Sequence, residues 1–94
     1  MASRNRLAPN WAAREALGAN VRAARKQAGI SQEALALNSQ IARSYVSTVE
    51  RGLANLALDH LVLIADILGV EPTDLVPTRR QIKAAGRIRK PVSR

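Results

Sequence analysis

From Trp11 onward, apolar positions recur every three or four residues, interrupted by short polar breaks. The run WAAREALGANVRAARKQAG sets Leu17, Val21, Ala24 and Ala28 in one stripe, which predicts a first amphipathic helix. Gly29 supplies the left-handed residue on which helices commonly end. Ser31 is a suitable N-cap for a second helix, SQEALALNS, with Ala34, Leu35 and Leu37 as its apolar residues. A turn is expected over residues 38–41, then a third helix from Ala42 to Arg51, closed by Gly52. After the loop LANLA, the segment LDHLVLIADILG predicts a fourth helix with Leu61, Ile64, Ala65 and Leu68 on one face and Gly69 at its end. Pro72 in EPTDL stands where a first helical turn accepts proline, so a short fifth helix follows.

No segment alternates with period two and no repeat is present, so the expected fold class is all-α, a bundle of five helices joined by short turns. From Pro77 the chain is basic, carries Gly86 and Pro91 and has weak periodicity, which predicts a flexible tail. The expected organisation is a basic arm over residues 1–14, partly helical at its end, a helical domain over 15–76, and a basic flexible tail over 77–94.

Ninety-four residues suffice for one domain with a modest core. Cysteine is absent, His60 is the only histidine, and no glycine-rich phosphate loop occurs. His60 is expected on the surface of the fourth helix, and neither an enzyme nor a cofactor or metal is expected. No apolar run approaches the roughly 18 residues of a membrane span. The start, MASRNRLAPNW, lacks the apolar stretch of a signal peptide, so a cytoplasmic protein is expected.

The net charge of +8 is unevenly placed. Residues 1–30 hold six basic side chains against Glu15 alone, and residues 79–94 hold seven and no acid. Between them, Arg43 and Arg51 face six acids. Basic ends favour polyanions, but they also serve as solubilising segments, so charge alone does not choose.

The second and third helices are short and adjacent, the arrangement in which a second helix enters a DNA major groove. On a helical wheel, Ala42, Tyr45, Val46 and Val49 gather on one side of the third helix; Arg43, Ser44, Ser47, Thr48 and Arg51 gather on the other. The polar side is either a solvated face or a set of short groups and guanidiniums suited to bases and phosphates. Glu50 falls at the margin of the buried side, as Arg25 does on the first helix. They are either a buried pair linking the two helices or two unrelated surface charges.

RAARKQAGISQEALAL followed by SYVSTVERGLANLALDHLVLIADILGVEPTDL resembles the Cro/phage-repressor class of helix-turn-helix DNA-binding domains, the xenobiotic-response-element family. The likeness covers about residues 15–76 and implies a lambda-repressor-like fold. It implies a DNA-backbone contact for Gln32, base and phosphate contacts for Arg43, Ser44, Ser47 and Thr48, and phosphate contacts for Arg51 and Asn55. It also implies an internal salt bridge between Arg25 and Glu50. Tyr45 is left with two readings, a core-edge residue or a phosphate contact through its hydroxyl. Two departures stand out: Gln40 occupies the turn position where the family usually has glycine, and Ala57 stands where a capping side chain is usual, leaving Asn55 or Asp59 to compensate.

The resemblance implies a dimeric, sequence-specific transcriptional regulator of double-stranded DNA, associated with the nucleoid, and most often a repressor. Leu63 and Ile67, opposite the core stripe of the fourth helix, are the expected homodimer contact. The ERGLANLAL segment is also similar to the small controller proteins of restriction–modification systems. The rival expectation is an interaction protein on the same fold, either the antitoxin of a toxin pair or a bridging coactivator with basic tails.

Overall fold

The computed structural model describes residues 8–88. Six helices follow one another: α1 Trp11–Gln27, α2 Gln32–Ser39, α3 Arg43–Glu50, α4 Leu58–Leu68, α5 Pro72–Leu75 and α6 Arg79–Ile88. The described residues contain no strand. The five expected helices are present, each within a few residues of its expected bounds. Asn10 caps α1, accepting from the Ala13 amide at 2.9 Å, and Ser31 caps α2, accepting from the Ala34 amide at 3.0 Å.

The core is built where α1 to α5 converge. Val21, Leu35, Val46, Val49, Ile64 and Leu75 are essentially inaccessible to solvent. They join Ile41, Leu56, Leu61, Ala65 and Leu68 in one cluster. Chain breaks around this core share one device. The amides of Ile30, Ile41, Leu53 and Val70 reach back five residues to the carbonyls of Arg25, Ala36, Thr48 and Ala65. This closure needs a left-handed residue in the penultimate place. Three of the four places hold glycine; the fourth is Gln40, with φ 59°. The turn between α2 and α3 therefore keeps the left-handed geometry despite lacking glycine. Ser39 supports it: its buried hydroxyl donates to the Leu35 carbonyl at 2.7 Å and accepts from the Ile41 amide at 3.3 Å.

At the start of α4, Ala57 makes no side-chain cap, and no side-chain bond from Asn55 or Asp59 replaces it. Asp59 lies in the first turn, where its charge suits the helix dipole.

The expectation of a flexible tail from residue 77 is corrected over residues 79–88, which form α6. Thr78 and Gln81 make a reciprocal cap. The Gln81 amide donates to the Thr78 hydroxyl at 3.1 Å, and the Thr78 amide donates to Gln81 Oε1 at 2.9 Å. Asn20 of α1 fastens the entry, its Nδ2 donating to the Leu75 carbonyl at 3.0 Å and to Gln81 Oε1 at 3.1 Å. Ala85 is buried, and Gly86 lies close enough to Ala12 that an added methyl would sit 3.6 Å from its Cβ. The bundle has six helices, the last laid antiparallel on the first. The remainder of the expected tail, residues 89–94, lies outside the described residues, as do residues 1–7, half of the expected N-terminal arm.

Candidate nucleic-acid interface

The site begins with a buried carboxylate. The side chain of Glu50 is only 2% exposed, so it needs partners to remain charged. Arg25 supplies a two-pronged contact, Nε to Oε2 at 2.6 Å and Nη2 to Oε1 at 3.0 Å. A third donor, Gln32 Nε2, reaches Oε1 at 3.0 Å. The remaining arm of Arg25 donates to the Ile30 carbonyl at 2.8 Å. One carboxylate thus joins α1, the α1–α2 turn, the first residue of α2 and the last of α3. The Glu50 hydrogen bonds, opposed by burial and aided by its charge, hold the Arg25 guanidinium above its already high pKa.

This frame fixes α2 against α3 and leaves a cleft of about 460 Å³ lined by Gln32, Arg43, Ser44 and Ser47. Four of the residues singled out in the sequence are therefore gathered on one surface. Arg43 and Ser44 are exposed in the first turn of α3, while Ser47 is half-buried one turn on. Thr48 is half-buried, and its hydroxyl donates back to the Ser44 carbonyl at 2.7 Å, leaving it lone pairs to offer outward. Arg51 is exposed at the end of α3, and Asn55 is exposed in the loop beyond it.

Between its two readings, Tyr45 takes the structural one in geometry. Its hydroxyl donates to the Asn55 carbonyl at 2.7 Å, and its ring meets His60 edge-on at 5.7 Å between centroids. His60 is consequently half-buried, not the surface residue expected, and its Nδ1 is shielded without a hydrogen-bond partner. Tyr45 links α3 to the loop that carries Asn55.

Sequence reasoning passed over Gly18. A Cβ there would lie 2.3 Å from the Val49 carbonyl oxygen and 2.9 Å from that of Glu50. The missing side chain is what lets α1 approach the end of α3 closely enough for Arg25 to reach Glu50. A glycine inside a predicted helix is the only signal for this in the sequence.

On α4, Leu63 is 38% exposed, while Ile67 is half-buried against the core cluster. Leu58 and Val62, not singled out from the sequence, are also exposed on this helix. Among the described residues, no group of three or more acidic or histidine side chains is placed to hold a metal ion. No described helix is long and apolar enough to cross a membrane.

A paired helix with a braced frame and a cationic, hydroxyl-bearing outer face defines a helix-turn-helix, and the helix-turn-helix family profile matches residues 21–75. The chain belongs to this family, a family of DNA-binding regulators and not of enzymes. It is 37% identical over 70 residues to the control protein C.SmaI of Serratia marcescens, covering 74% of this chain and 82% of the relative. It is 42% identical over 50 residues to the control protein C.BamHI of Bacillus amyloliquefaciens, covering 53% of this chain and 62% of that protein. Among solved structures, the restriction-modification controller protein C.AhdI from Aeromonas hydrophila superposes with a TM-score of 0.64 at 40% identity. That match covers 66% of this chain and 94% of C.AhdI.

Proposed function

We propose that the chain is a transcriptional regulator that binds a two-fold symmetric operator as a homodimer, each copy reading one half-site with α3. The observation that carries this reading is the cleft in which Gln32, Arg43, Ser44 and Ser47 converge. Arg43 is suited to a guanine edge, Ser44 and Ser47 to bases or phosphates, and Thr48, its hydroxyl proton given to the Ser44 carbonyl, to accepting from a base amino group. Gln32 has a second amide hydrogen beyond the one given to Glu50, available to a phosphate. Arg51 and Asn55 continue the backbone contact past the end of α3. Phosphate contacts of this kind set the register, and the base contacts confer sequence preference.

A single α3 reads only a few base pairs, so two copies one DNA turn apart are needed for a specific operator. The exposed α4 surface around Leu63 is the proposed contact between copies. Likeness to C.BamHI, C.SmaI and C.AhdI supports a controller role, in which the protein adjusts transcription of its own operon in the cytoplasm, on the nucleoid.

Selection from random duplex DNA at near-physiological salt, followed by sequencing, tests this reading. Enrichment of a palindrome with half-sites about one turn apart is expected. Absence of any enriched motif overturns it in favour of a protein-binding role.

A further inference from the structure

The family profile ends at residue 75, and α6 lies beyond it. We infer that the outward face of α6, carrying Arg79, Arg80, Lys83 and Arg87, is a second DNA contact that binds the phosphate backbone without reading bases. This rests on the DNA-binding part of the reading above but not on its operator or its dimer.

The residues on α6 divide cleanly. Ile82, Ala85 and Gly86 turn toward α1, whereas all four cations are exposed. At 3.6 residues per turn, Arg80, Lys83 and Arg87 fall within roughly 60° of arc, and the set from Arg79 to Arg87 extends about 12 Å along the axis. That length matches the rise of roughly three to four phosphates on one strand. No acidic residue lies on the helix to neutralise them.

Arg87 in the last turn suits the helix dipole, but the other cations work against the helix. Arg79 and Arg80 occupy the first turn, where the dipole disfavours cations. Arg79 and Lys83, and Lys83 and Arg87, are like charges four residues apart, which repel. A solubilising segment needs neither this clustering nor a fixed platform. Here the platform is fixed by the Thr78–Gln81 cap, by Asn20, and by the seat of Ala85 on α1. An anionic surface relieves both penalties. Duplex DNA fits better than a lipid surface, because among residues 79–87 the exposed face offers no large apolar residue to insert.

The test uses the full chain and a duplex of fixed, arbitrary sequence, with affinity followed by fluorescence anisotropy between 50 and 200 mM salt. The double variant Lys83→Gln/Arg87→Gln leaves the packed face intact, and circular dichroism checks its helicity. Its plot of log affinity against log salt should be shallower than that of the unaltered chain by about 1 to 2 units, at roughly 0.9 per lost contact. Lys83→Arg/Arg87→Lys should keep the original slope. A control with the same change in net charge, Thr73→Glu/Val76→Glu on exposed positions of and beside α5, should change the slope much less. An unchanged slope in the Lys83/Arg87 variant, or an equal change in the control, overturns the inference. The two readings fail separately. No motif in the selection experiment together with an α6-dependent slope removes the operator; a retained motif with no α6 effect removes only the second contact.

Discussion

Glu50 shows how a single side chain can hold in place the helix proposed to read DNA. Its carboxylate holds donors from α1 and α2 while it ends α3, so its loss frees the helix pair at three points. Glu50→Ala would leave the Arg25 side chain, only 10% exposed, without its counter-charge. The expected cost is about 3–5 kcal/mol in urea unfolding, and a double-mutant cycle with Arg25→Ala should show strong coupling between the two. The helical wheel placed both residues at the margins of apolar stripes but left open whether they pair, and it was the family resemblance that implied the salt bridge the structure contains. The role of Gly18 was not legible in the sequence, since a wheel records which way a residue faces and not how near the next helix comes. Arg43 makes no structural contact of this kind, so Arg43→Ala should fold normally. Binding should weaken by about 1–3 kcal/mol with relaxed preference at one base position, measured by titrating single-base operator variants. Uniform weakening across all variants would identify Arg43 as a phosphate contact instead.

Between helices, the recurrent closure gives the turn chemistry a built-in comparison. Gln40 adopts a left-handed backbone where the other three closures have glycine. That conformation costs a residue with a side chain about 1–2 kcal/mol, partly offset by the greater chain entropy that glycine loses on folding. Gln40→Gly should therefore raise stability by about 0.5–1 kcal/mol in thermal or urea unfolding, without moving α3. The first five helices were legible because their stripes and end signals agreed. The sixth was missed, although TRRQ spells a capping box, because its packed face sets Ile82 beside only the small Ala85 and Gly86, which gives little hydrophobic periodicity. A Cβ at Gly86 would meet Ala12 in ordinary van der Waals contact, so the face does not depend on that glycine for close approach. Thr78→Ala should cost about 1 kcal/mol and speed amide exchange from Ile82 to Ala85, with the core helices unaffected.

Across the whole molecule, charge is sorted by location. Of the exposed acids, Asp59, Asp66, Glu71 and Asp74 lie on α4 and α5 or the turn between them and Glu33 lies on α2, while the cations of the proposed DNA surfaces lie on α3 and α6. Most of the exposed negative charge thus stands on elements other than the proposed reading helix, which favours the approach of that helix to a polyanion. The exposed apolar residues Leu58, Val62 and Leu63 also lie on α4, which makes this helix the proposed surface for a second copy. The sequence wheel placed Leu63 and Ile67 there together, but in three dimensions Ile67 leans on the core and Leu63 alone of that pair is substantially exposed. Leu63 is therefore the informative position. Leu63→Asp replaces an exposed apolar side chain with a charge beside Asp59 and Asp66, so two copies meeting there would bring carboxylates together without partners. Sedimentation should show a folded monomer in place of the dimer proposed for the unaltered chain, and operator binding should fall far more than binding to an isolated half-site. A variant that sediments as an unchanged dimer would move the contact off this part of α4. The α3 face would then remain the same reading surface, but the spacing of the two half-sites would have to be set by a different pair of elements.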